Sequence, residues 1–194
     1  SAGLSLSWFI ESLCLEESLR SGDVDPYEFL SKEAESAEPG CRGLIFMPYL
    51  IGERSPHMDP YARGLFFGLT LSHRRAHMTR AIMEGVAYAL RDSIEIFKKL
   101  GVKVDRIVAR GGGSKSTLWR QIQADIFNSE VMTVEIREEA AFGAALLAGV
   151  GAGVYRDLQE AVEEAVKVKD VEYPNPERVK IYEHYYQKVY RRLY

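Results

Sequence analysis

Cysteine is scarce in this chain of 194 residues: Cys14 and Cys41 stand alone, in no paired metal spacing. That excludes a disulfide scaffold, argues against a zinc site and points to a reducing compartment, so the cytoplasm is the expected location. There is no run of about twenty apolar residues, and no charged-then-apolar order of a signal peptide, so neither a membrane span nor a membrane partner is expected. A basic excess is also missing. The 25 Lys and Arg against 28 Asp and Glu leave a net charge of −3, too little to hold a nucleic-acid backbone by counterion release, so no nucleic-acid partner is expected. What remains, 46% hydrophobic and 27% charged residues, is the composition of an ordinary globular domain. Ser1 stands where an initiator Met would, and an apolar helix pattern begins almost at once, as if the chain were cut from a longer one.

The apolar spacing predicts a helix over residues 4–20. Asp25-Pro26 followed by Glu28 reads as the start of a second, acidic helix that ends before Pro39-Gly40. Short apolar runs at 43–47 and 64–71 predict strands around a loop rich in Pro, Gly and charge. Met78, Ile82, Val86, Leu90, Ile94 and Phe97 line one face of a long helix over 72–100, stopped by Gly101. A strand over 104–109, a tight turn at 111–113 and a helix over 117–128 follow. Next come a strand at 131–136, an Ala- and Gly-rich segment at 139–153, a helix over 157–166 and a closing helix over 176–194. Alternation of strands and helices without repeats or linkers predicts one compact α/β domain.

Three glycines, Gly111, Gly112 and Gly113, between a strand and a helix let the backbone approach a bound group, and the helix start offers free N–H donors to a phosphate. A plain strand-to-helix turn explains them equally well on spacing alone. The segment is not a P-loop, since Ser114 precedes Lys115, nor a dinucleotide fingerprint, since Ser116 stands at the third Gly position. His73 and His77 lack the Glu of a zinc protease between them, and the four histidines read as surface or structural groups. Glu53, Arg54 and Asp59 share a loop that reads as an ion-pair turn rather than an active-site lip. Small residues at 140–153 suit a close helix seam or a hinge, and the tail tyrosines suit core packing more than a stacking platform. No Gly-x-Ser-x-Gly elbow or cysteine nucleophile signature occurs.

Together the segments resemble the C-terminal lobe of the FGGY carbohydrate kinases, most of all the xylulose kinase branch. Gly64-Leu65-Phe66-Phe67-Gly68-Leu69, His77-Met78 and Ala81-Ile82-Met83-Glu84 fit the family's second signature pattern. The loop Gly52-Glu53-Arg54-Ser55-Pro56-His57-Met58-Asp59-Pro60 and the run Gly111-Gly112-Gly113-Ser114-Lys115-Ser116-Thr117-Leu118-Trp119 are similar to segments of that branch. Phe142-Gly143-Ala144-Ala145 resembles its late Ala-rich helix.

The resemblance implies a ribonuclease-H-like (actin-like ATPase) lobe, a mixed sheet flanked by helices, with 1–194 as the nucleotide-binding lobe and the sugar-binding lobe and catalytic Asp lying upstream. It implies ATP and Mg²⁺ as cofactors, ADP as product and transfer of phosphate to a sugar hydroxyl reached through the upstream lobe. D-xylulose, giving D-xylulose 5-phosphate, is the first substrate to expect; another pentulose, gluconate or glycerol follows. It implies that Gly111, Gly112 and Gly113 border the adenosine and α-phosphate, that Ser116 can face adenine, and that Gly3 and Ser7 reach the nucleotide. The chain alone would then be inactive, a homodimer is left open, and a non-catalytic nucleotide-binding or interaction module is the alternative.

Overall fold

The computed structural model describes residues 2–14, 25–136 and 139–194. Helices α1 (Ala2–Leu13), α2 (Pro26–Ala34), α3 (Arg75–Lys99), α4 (Thr117–Phe127), α5 (Glu139–Gly151), α6 (Leu158–Ala165) and α7 (Pro176–Lys188) and strands β1 (Ile45–Met47), β2 (Leu65–Phe67), β3 (Arg106–Val108), β4 (Glu130–Val134) and β5 (Val168–Glu172) follow in the order α1-α2-β1-β2-α3-β3-α4-β4-α5-α6-β5-α7. The chain falls into two compact units, residues 1–131 with 172–194, and residues 132–171, where the sequence reads as one compact domain. β1 pairs antiparallel with β2, Phe46 opposite Phe66, and the other sheet has the order β3-β4-β5. The division between units runs within β4 and β5.

Local chemistry explains most boundaries. Asp25 accepts the Tyr27 N–H and Pro26 occupies the first turn, so α2 begins where expected. α3 ends just ahead of Gly101, whose φ of 82° favours glycine. Ser116 accepts the Trp119 N–H at the start of α4, and Asn128 closes that helix in the left-handed region at φ 50°. Asn175 accepts from the N–H groups of Glu177 and Arg178 with Pro176 behind it.

In the first unit, α3 lies on β1 and against α1, α2 and α4. The core gathers Leu6 and Phe9 of α1, Leu30 of α2, Ile45 and Phe46 of β1, Ile82, Met83 and Val86 of α3, and Ile122 and Ile126 of α4. α3 approaches β1 through Gly85, where an added Cβ would stand 2.1 Å from the Phe46 carbonyl oxygen. Tyr182, Tyr186 and Tyr190 of the tail gather round Tyr88 in one buried cluster, Tyr186 stacked on it and Tyr182 edge-on, as core packing of tail tyrosines at helical spacing predicts. Beside them Glu84 accepts hydrogen bonds from Arg80, the Tyr182 hydroxyl and the Gly40 N–H, which ties the 38–41 loop to α3 and α7. Burial is the largest influence on the Glu84 carboxyl and holds its pKa above the ordinary value, although Arg80 pulls it down.

Several expectations need correction. The apolar face of α3 does not run to its end: Leu90 is 45% and Phe97 51% exposed. The strand expected at 64–71 shortens to Leu65–Phe67, because Gly68 has φ 86° and leaves the ladder. The closing helix stops at Lys188 and continues as a 3-10 turn over Tyr190–Arg192. The part of the first predicted helix at 15–20 lies outside the described residues. β5 was not expected from the sequence at all.

The second unit holds α5, α6 and the adjoining ends of β4 and β5. Asp157 accepts the Glu160 N–H and starts α6. In α5, Gly149 makes room for the ring of Tyr155 in the following loop, a contact with a loop and not the helix seam expected of the small residues.

Candidate functional site

A cavity of about 690 Å³ opens in the first unit between α1, α2 and the glycine turn, a size that suits a small organic ligand. α1 contributes Gly3, Leu6 and Ser7, the floor is made by Met83 of α3 with Leu118 and Trp119 of α4, and the glycine turn supplies Gly112, Gly113, Lys115 and Ser116. α2 forms the remaining wall through Tyr27, Glu28, Ser31 and Lys32, with Glu35 just after its end.

Each part of this geometry has a local cause. Gly111 has φ 79° and ψ −170°, a conformation closed to other residues, and it turns the chain out of β3 into the 3-10 turn Gly112–Lys115. The Ser114 N–H and hydroxyl both donate to the Gly111 carbonyl and lock the turn. Arg120, buried beneath it, donates to the Ser114 carbonyl and to Glu172. Gly113 lies against the Trp119 ring, where an added Cβ would be 3.0 Å from two ring carbons, while Trp119 is fixed by its indole N–H on the Met83 carbonyl. Gly112 faces open space: nothing lies within 4 Å of an added Cβ, and its backbone is accessible to a ligand.

Two hydrogen bonds join the walls. The Ser7 and Tyr27 hydroxyls meet at 2.6 Å and link α1 to α2. The hydroxyls of Ser31 and Ser116 are hydrogen-bonded as well, linking α2 to the start of α4. Sites foreseen from sequence at Gly3, Ser7, Gly112, Gly113 and Ser116 therefore line one cavity, although they are spread over more than a hundred residues; Gly111 shapes the turn and does not line it. The α2 wall was missed. Its only sequence signal is a helix start next to an exposed-type Tyr, which reads as surface.

Elsewhere, the loop expected to be an ion-pair turn is built differently. The Glu53 carboxylate is buried and accepts the N–H groups of Ser55, His57 and Met58, and the Asp59 carboxylate takes the Tyr61 N–H. Loop amides, not Arg54, satisfy the buried carboxylate, as a buried charge requires. His73 and His77 are structural: one accepts the Thr70 N–H and touches the Cys41 carbonyl, the other accepts the Arg74 N–H at the start of α3. Among the described residues no group of three or more His, Cys, Asp or Glu could hold a metal ion, and no helix is long and apolar enough to cross a membrane.

Residues 1–152 match the FGGY family of carbohydrate kinases, C-terminal domain, and the chain belongs to this family. It is similar to a xylulose kinase of Staphylococcus epidermidis, 40% identical over 193 residues, which cover all of this chain and 37% of that protein. A gluconokinase of Bacillus subtilis is 43% identical over 149 residues, 75% of this chain and 29% of that protein. Among solved structures, the ligand-bound xylulose kinase from Lactobacillus acidophilus superimposes with a TM-score of 0.86 at 34% identity, covering 98% of this chain and 37% of that one. The Plasmodium falciparum glycerol kinase with ADP gives 0.80 at 25% identity over 98% of this chain and 37% of that one. The fold is thus the actin-like ATPase fold of FGGY kinases, as the sequence resemblance implied. The chain spans 37% of the length of the xylulose kinases it matches.

Proposed function

We propose that this chain is the nucleotide-binding lobe of an ATP-dependent sugar kinase, and that its cavity between α1, α2 and the glycine turn receives ATP and releases ADP. The observation that supports this most is the convergence of Gly3, Ser7, Gly112, Gly113 and Ser116 on one cavity. The exposed backbone of Gly112 beside Lys115 suits an approaching phosphate, since no side chain fills the space and a cation stands next to it. The apolar floor of Leu6, Met83 and Leu118 suits the uncharged end of a nucleotide.

The phosphoryl acceptor and the group that takes its proton would come from the part of such kinases that this chain does not match, so the chain alone is inactive. Mg²⁺ prefers phosphate oxygens and water to a protein cage and would enter on the nucleotide, where it neutralises charge on the transferred group. The similarity to xylulose kinases over the whole chain favours D-xylulose as the acceptor, with gluconate and glycerol next. The test is transfer from ATP to D-xylulose, gluconate and glycerol by the whole protein that carries this chain. The highest kcat/KM on D-xylulose supports the assignment; a higher value on gluconate or glycerol moves it to that acceptor, and transfer to none of the three overturns it.

A further inference from the structure

The two sides of the cavity differ in chemistry, and the difference orients a ligand. The glycine turn presents backbone and Lys115, whereas the α2 side presents the carboxylates of Asp25, Glu28 and Glu35 against the single cation of Lys32, a net negative wall that repels phosphate. A nucleotide lying in this cavity therefore turns its phosphates to the turn and its base to α2. Among the described residues, Tyr27 and Trp119 line the space with aromatic rings, and they differ in exposure. Trp119 is 4% exposed, covered on one side by Gly113 and held by the Met83 carbonyl. Tyr27 is 44% exposed.

Tyr27 is also fixed at both ends. Its N–H is taken by Asp25 at the start of α2, and its hydroxyl is bonded to Ser7 on α1. A ring held this way loses little rotational freedom when a planar group settles on it. From these observations, and resting on the nucleotide reading above, we propose that Tyr27 is the base-stacking residue of the site, a determinant of affinity for the nucleoside half.

The test is calorimetric titration of adenosine and of Mg-ADP into the chain and into Tyr27→Ala, Tyr27→Phe and Gly112→Asp, with circular dichroism confirming that each variant is folded. Loss of a base stack weakens adenosine and Mg-ADP by the same factor in Tyr27→Ala, about 5- to 150-fold, because stacking engages the base alone. Tyr27→Phe keeps the ring and restores most of that loss. Unchanged affinity of Tyr27→Ala, or a loss that Tyr27→Phe does not restore, overturns the role of Tyr27. If that happens while Gly112→Asp abolishes Mg-ADP binding, the nucleotide site stands without it. Absence of Mg-ADP binding to the unaltered chain overturns both.

Discussion

Ser31 and Ser116, 85 positions apart, join their hydroxyls between α2 and the start of α4, and the same Ser116 oxygen accepts the Trp119 N–H that starts α4. One side chain thus caps a helix and ties two walls of the site together. A ligand that used the Ser116 hydroxyl would share it with both.

Ser116→Ala removes the cap and the tie at once. Loss of a helix cap costs about 1 kcal/mol, and the stranded Ser31 hydroxyl is near enough to the cavity to find water, so it adds little. Urea unfolding should show a loss near that value, with nucleotide affinity lowered as well. Full stability in the variant would mean that α4 does not depend on this cap.

Gly85→Ala should destabilise the chain, against the usual effect of replacing glycine inside a helix. Helix propensity favours Ala by about 1 kcal/mol, but its Cβ would collide with the Phe46 carbonyl at the contact between α3 and β1. Overpacking of this kind costs about 1–3 kcal/mol and no flexible side-chain end is there to move aside. The sign of the change in the urea midpoint decides the matter.

Glu84→Ala leaves the buried Arg80 guanidinium without its carboxylate and frees the Gly40 N–H and Tyr182 hydroxyl. Breaking one side of a buried pair costs about 3–5 kcal/mol. The expected result is a chain that unfolds at much lower urea or fails to accumulate in soluble form. A loss under about 1 kcal/mol, the scale of a surface pair, would show that the network is dispensable.

Alkali should unfold the protein through its tyrosine cluster. Burial pushes the Tyr49 phenol up to about 12 and holds Tyr88, Tyr182, Tyr186 and Tyr190 above the ordinary tyrosine value too. Above pH 10 the folded state keeps protons that the unfolded chain releases, so stability is intact below that pH and falls as pH rises through it. Absorbance at 295 nm should show these five of the eleven tyrosines ionising late, together with loss of the circular dichroism signal. Ionisation of all of them while the fold persists would contradict their burial.

How far the sequence foretold this depends on the range of the interaction involved. Asp25-Pro26 and Gly101 act within a turn of chain, so the start of α2 and the end of α3 were legible, and α4 lies within a residue of its expected bounds, whereas the end of α7 falls six residues short of the expected 194. β5 was not: Val-Lys-Asp-Val-Glu is mostly exposed or half-buried and carries three charges, a pattern that resembles a loop until a partner strand is known. Glu53 was misjudged for the same reason, because the amides it satisfies are placed by the path of the loop and not by residue type. At the site, glycines at a strand-to-helix turn were visible, and the resemblance supplied Gly3 and Ser7. The α2 wall was invisible, since only the tertiary fold turns Tyr27 and Ser31 toward Ser7 and Ser116.

Nucleotide binding on the glycine turn is tested most directly by calorimetric titration of Mg-ADP into the chain and into Gly112→Asp. Gly112 is exposed with open space around it, so the variant folds, while its carboxylate occupies the approach to the backbone and repels phosphate. Saturable binding to the unaltered chain, lost in Gly112→Asp, is the expected result. Equal affinity in the two proteins would contradict a site on this turn, and no binding to either would contradict a nucleotide-binding lobe.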